Sequence, residues 1–140
     1  MRKIIYLGLG AALIAADQAS KYFAYHGNFG GFLNYAKPFL GKGISPNYHF
    51  AFGIAVPAAW AYSVYALIAV AAIWWFIKLK KRSRVLEVAF VLVAAGAISN
   101  LLDRFLLGYV RDFIYIFWGN ILNFADIYIT AGIILILFFA

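Results

Sequence analysis

Apolar residues run almost unbroken through four stretches of the chain, at about 4–25, 58–77, 85–107 and 121–140. Each approaches the roughly 20 residues that a helix rising 1.5 Å per residue needs to cross ~30 Å of hydrocarbon. The pattern predicts a single membrane domain over 1–140: an all-α integral membrane protein with four transmembrane helices. Arg2 and Lys3 precede the first stretch, and Lys78, Lys80, Lys81, Arg82 and Arg84 separate the second from the third. Basic loops stay on the cytoplasmic side, so both termini are expected inside. Ala140 ends the last stretch without a basic flank, which suggests a tail beyond it.

The first stretch admits a second reading. A basic pair before the 13-residue apolar run 4–16 also fits a secretory signal peptide. That run is too short to span alone. A retained helix, the reading adopted, therefore takes in Asp17, Gln18, Ser20 and Lys21 and carries them in its outer half.

The outer loops, about 26–57 and 108–120, are expected to form a small β-rich extracytoplasmic cap. The first is rich in glycine (27, 30, 31, 41, 43 and 53) and in aromatic residues, and Tyr48–Ile54 and Tyr109–Phe117 are β-like in composition. Such loops suit the membrane surface better than open water. Pro57 fits the first turn of the second helix, and Trp74 and Trp75 its inner interface.

Composition strengthens the class. Hydrophobic residues make up 66% of the 140, against the ~45–50% usual in soluble domains. The net charge of +7 would suit nucleic acid, but five of the twelve basic residues lie in the run between spans, so it reads as a topology signal. No nucleic-acid partner is expected. With no cysteine, the chain has no disulfide, thiolate metal site or cysteine nucleophile.

Candidate chemistry centres on the acids, of which there are only five: Asp17, Glu87, Asp103, Asp112 and Asp126. A carboxylate near the bilayer core costs roughly 2.5–3.5 kcal/mol on insertion scales, so intramembrane acids point to function. Asp103 falls ~6 Å inside the outer end of the third stretch and Asp126 ~8 Å inside that of the fourth, by helical rise. The two stretches run in opposite directions, which places both carboxylates in one layer. Close carboxylates share a proton; one then activates water while the other hydrogen-bonds a substrate carbonyl, the elements of metal-free peptide hydrolysis. Asn100, Asp103 and Arg104 share one helix side, as do Asn123 and Asp126, and Asp17 and Lys21 form an i, i+4 pair. His26 and His49 lack ligand spacing, so neither metal nor cofactor is expected.

Four ordered segments now resemble the motifs of the lipoprotein signal peptidase (signal peptidase II) family: Asp17–Lys21, Gly96–Arg104, Val110–Phe113 and Asn123–Asp126. The resemblance spans nearly the whole chain and supports the retained first helix. It implies an aspartic endopeptidase of the bacterial inner membrane, with its site near the outer face. Such an enzyme cuts signal peptides from prolipoproteins before the diacylglyceryl-modified cysteine. Its partners would be those lipid-modified signal peptides and membrane lipids, and it is expected to be monomeric. Carried over, Asp103 and Asp126 would be the catalytic pair, with Asn100, Arg104, Asn123 and Ala125 shaping the site and Asp17 and Lys21 supporting it. Asn47 would match the asparagine of an outer-loop motif, although His49 stands where that motif has glycine, followed by the bulky Phe50.

Two other readings remain. Intramembrane acids also serve proton- or ion-coupled transporters, although here they cluster at the outer end. Buried polar pairs also join helices in purely structural bundles, and Arg104 and Arg111 also suit interfacial snorkelling.

Overall fold

A computed structural model describes residues 2–26, 40–48, 83–116 and 121–140, and among the described residues it has three helices and a three-stranded sheet. The elements are α1 (Arg2–Tyr25), β1 (Leu40–Asn47), α2 (Arg84–Leu107), β2 (Val110–Tyr115), β3 (Ile121–Leu122) and α3 (Phe124–Phe139). The helix expected over 58–77, with Pro57, Trp74 and Trp75, lies outside the described residues, as do His49 and Phe50.

Local chemistry sets the helix ends. Ser83 caps α2 by accepting from the Leu86 N–H at 3.2 Å. The helix stops at Gly108, whose left-handed backbone (φ 81°) suits glycine and whose N–H returns to the Arg104 carbonyl. That turn sends the chain straight into β2. Asn123 caps α3 in a capping box: its side chain accepts from Asp126 N, and the Asp126 carboxylate accepts from Asn123 N. The stretch expected as helix from 121 thus begins as the short strand β3 and a cap.

The sheet is antiparallel in the order β1-β2-β3. Ser45 faces Asp112, Pro46 faces Arg111 and Asn47 faces Val110, with an irregularity between Leu40 and Ser45. β3 pairs with Ile114 and Tyr115. The β-like composition of Tyr109–Phe117 matches β2; of the Tyr48–Ile54 stretch, all but Tyr48 lies outside the described residues.

α2 packs most extensively on α3 and then on α1. Gly96 makes the first contact possible, because a Cβ there would collide with the Ala125 carbonyl oxygen and come within 2.8 Å of Ile129. Small residues at such crossings let backbones approach closely.

Polarity is distributed inside out. The largest fully buried side chains include Lys21, Asn123, Asp17 and Asp103, while Ile4, Leu7, Phe105, Leu106, Leu137 and Phe138 are exposed. Among the described helices, Arg84–Leu107 is the one long and apolar enough to cross a membrane; Phe124–Phe139 is apolar but shorter. The described architecture is mostly helical with a small antiparallel sheet.

Candidate active site

Four carboxylates converge where the C-terminal end of α2, the N-terminus of α3, the C-terminal half of α1 and β2 meet. They divide into two pairs by how their oxygens are occupied.

Asp17 and Asp103 belong to a closed ionic network with Lys21. All three are fully buried. A lysine has three N–H donors and no acceptor, and the Lys21 ammonium finds three acceptors. These are Asp17 Oδ2 at 2.7 Å, Asn100 Oδ1 at 2.9 Å and Asp103 Oδ2 at 3.4 Å. Asp17 also accepts from the Ser99 hydroxyl at 2.7 Å and from the Ala125 backbone N–H at 2.9 Å. The second of these gives α3 a cap donated from α1, favourable for its dipole as well.

Asp103 is more heavily used. Oδ1 accepts from Arg111 Nη2 at 2.6 Å and Gln18 Nε2 at 2.9 Å. Oδ2 accepts from the Arg111 backbone N–H at 3.0 Å and its Nε at 3.2 Å, beside the Lys21 ammonium. A carboxylate has about four lone-pair sites, and these donors fill them. Burying such charges is costly unless each is paired and hydrogen-bonded, and here they are.

Asp112 and Asp126 are less encumbered. Asp112 Oδ1 accepts from Asn123 Nδ2 at 2.6 Å and Oδ2 from Asn47 Nδ2 at 2.9 Å. Asp126 Oδ1 accepts from Asn100 Nδ2 at 2.8 Å and Oδ2 from the Asn123 backbone N–H at 3.2 Å. Among the described residues every oxygen of this pair therefore takes one N–H and keeps a lone pair. Asn123 holds both carboxylates, one through its amide and one through its backbone. Burial pushes the Asp112 carboxyl up to about 6; the Asn47 amide opposes this, and the neighbouring Asp126 charge adds to it.

Asp17, Lys21, Asn47, Asn100, Asn123, Ala125, Asp103 and Asp126 are thus all drawn together, but the expected pairing shifts. Depth counting set Asp103 beside Asp126. The structure instead brings Asn100, ~4.5 Å deeper along α2 by helical rise, onto Asp126, while Asp103 turns to Arg111. Arg104, expected to shape the site, reaches back to the Asn100 carbonyl at 3.5 Å. Snorkelling is also the wrong description of Arg111, whose guanidinium is engaged with Asp103 and Gln18.

Gln18, Ser99, Arg111 and Asp112 are the participants that the sequence reading did not assign to the site. The signal for Asp112 was its place in a β-like stretch, where side chains two apart share a face. Asn47, opposite Val110, sits on that face and reaches diagonally to it.

Comparison with known proteins bears on this constellation. The sequence pattern of signal peptidase (SPase) II matches residues 9–140. Lipoprotein signal peptidase of Acinetobacter baumannii is 36% identical, the alignment covering 96% of this chain and 81% of that protein. The Streptococcus agalactiae enzyme is 35% identical over 96% of this chain and 90% of its own. A solved bacterial membrane enzyme superposes with a TM-score of 0.77 at 26% identity, covering 96% of this chain and 85% of the other. The matched residues include every group in the two carboxylate clusters, and a peptidase family supersedes the transporter reading. The chain belongs to the signal peptidase II family.

Proposed function

We propose that the protein is an aspartic endopeptidase that removes the signal peptide from prolipoproteins, before the diacylglyceryl-modified cysteine, with Asp112 and Asp126 as its catalytic pair. The observation that carries this reading is the shared grip of Asn123 on the two carboxylates that keep free lone pairs. Asp103, the acid expected to partner Asp126, has its lone pairs filled by Arg111, Gln18 and Lys21. It is a poor candidate to touch substrate.

With one proton between them, the pair activates water and the scissile carbonyl together. The ionised carboxylate takes a proton as the water oxygen bonds to the carbonyl carbon, and the protonated one donates to the carbonyl oxygen. Collapse of the resulting diol breaks the C–N bond, the leaving nitrogen takes a proton, and the pair again holds one. Asn100, Asn123 and Asn47 orient the acids, and Lys21 and Asp17 fix the helices that carry them.

The setting proposed is the bacterial inner membrane, with four spans, cytoplasmic termini and the site near the outer face. The exposed apolar side chains and the membrane enzymes it resembles support this. A monomer is the proposed state.

The reading is tested with purified protein and a diacylglyceryl-modified prolipoprotein peptide. Asp112→Asn and Asp126→Asn should each abolish cleavage while insertion and folding persist. Asp103→Asn should retain measurable turnover. Full turnover by Asp112→Asn, or loss only in Asp103→Asn, would overturn the assignment.

A further inference from the structure

Arg111 makes more hydrogen bonds to Asp103 than any other residue does, and it immediately precedes Asp112. Its backbone N–H, Nε and Nη2 all donate to the one carboxylate, at 3.0, 3.2 and 2.6 Å, and Nη2 also donates to Gln18 Oε1 at 2.7 Å. One residue of β2 is thereby tied to α2 through Asp103 and to α1 through Gln18.

The sheet itself holds this point weakly. The register partner of Arg111 is Pro46, which has no backbone N–H to donate. The Arg111 N–H goes to Asp103 and not into a strand ladder. Successive strand residues face opposite sides, so anchoring Arg111 toward the helices sets the angle at which Asp112 projects toward Asn47 and Asn123. A bidentate arginine–carboxylate contact fixes direction as well as distance, and lysine, a point charge, does not reproduce it.

We infer that Arg111 is a positioning residue for the hydrolytic reaction. Its clamp on Asp103 and Gln18 aims Asp112 at Asp126. The inference rests on the proposed pairing of those two acids. It gives Asp103, Gln18 and the buried Lys21 a shared purpose in holding β2 against the helix pair, beyond neutralising buried charge.

The test uses full-length enzyme in lipid nanodiscs with the diacylglyceryl-modified peptide. A misplacement of about 1 Å can cost on the order of 100-fold in rate. Arg111→Gln should therefore lower kcat by about 100-fold with KM changed by less than about threefold. Arg111→Lys, keeping the charge but losing the fork, should recover part of the loss and sit near tenfold. As Asp112 swings away from its buried place beside Asp126, the alkaline limb of the pH profile should move to lower pH. A role confined to stability would lower the folded fraction and leave kcat per folded enzyme, and that limb, unchanged. Either result would overturn the inference.

Should Arg111→Gln fail to fold, the double variant Asp103→Asn/Arg111→Gln removes both charges together. Wild-type kcat in that variant would refute the clamp, and a loss of about 100-fold would support it. Asp112→Asn separates the two levels. If it cleaves normally, the underlying pairing fails. If it is dead while Arg111→Gln is fully active, the positioning role alone fails.

Discussion

Asn47 donates to Asp112 from across the sheet, and the consequence is a prediction about pH. Asp112 holds its proton up to about 6, pushed there by burial, with the neighbouring Asp126 charge adding to it. Hydrolysis needs one proton in the pair, so kcat/KM should fall as pH rises through about 6 in the free enzyme. The Asn47 amide stabilises the ionised form of Asp112 and holds that limb down. Asn47→Ala should shift the limb to higher pH, read from kcat/KM profiles of the two proteins. An unmoved limb, or a shift to lower pH, would show that Asn47 does not act on Asp112. Helix-face spacing brought Asn100, Asn123 and Asp126 into view, and the family resemblance brought Asn47. Depth counting passed over Asp112 as a catalytic acid because helical depth has no meaning past the end of a helix. The reversal at Gly108, at φ 81°, turns the chain into β2, where Asp112 meets Asn123.

Between elements, the contact that aligns the site is the crossing of α2 and α3. Asn100 on one helix must reach Asp126 on the other at 2.8 Å, and Gly96, one turn deeper, sets how close they come. A Cβ at Gly96 meets the Ala125 backbone and Ile129, neither of which yields cheaply. Gly96→Ala should cost about 1–3 kcal/mol through overpacking, visible as a lower Tm in detergent, and should reduce turnover by pushing Asp126 from Asn100. Gly8→Ala, where an added Cβ has nothing within 4 Å, is the matched control. Equal Tm values for the two would remove close packing as the reason for glycine. Helix ends were legible here: the stretch read as 85–107 is Arg84–Leu107, because Ser83 and Gly108 are strong end signals. The start of α3 was not, since Ile121–Leu122 is as apolar as the helix it precedes and hydropathy does not separate a strand from a span.

At the scale of the molecule, among the described residues Asp17, Lys21, Asp103 and Asp112 lie inside while many large apolar side chains lie outside. Burying Asp17, Lys21 and Asp103 together is tolerable because each finds partners, whereas leucines and phenylalanines such as Leu106, Leu137 and Phe138 are exposed. A bilayer resolves that arrangement, since it makes outward apolar surface favourable and confines the charges to a shared interior. Ile133 tests it. It sits ~14 Å along α3 from Phe124 by helical rise, near the centre of the expected span, and is 46% exposed. If that face meets lipid, Ile133→Arg should cost on the order of 2.5–3.5 kcal/mol of insertion free energy. In water the same exposed substitution would stay within about ±0.5 kcal/mol. The measurement is the fraction inserted in membranes, read with a topology reporter, against Ile133→Ala. A clear insertion deficit specific to arginine would place the face in hydrocarbon. Equal insertion of the two variants would mean that α3 turns this side away from lipid, and the four-span arrangement would have to be redrawn.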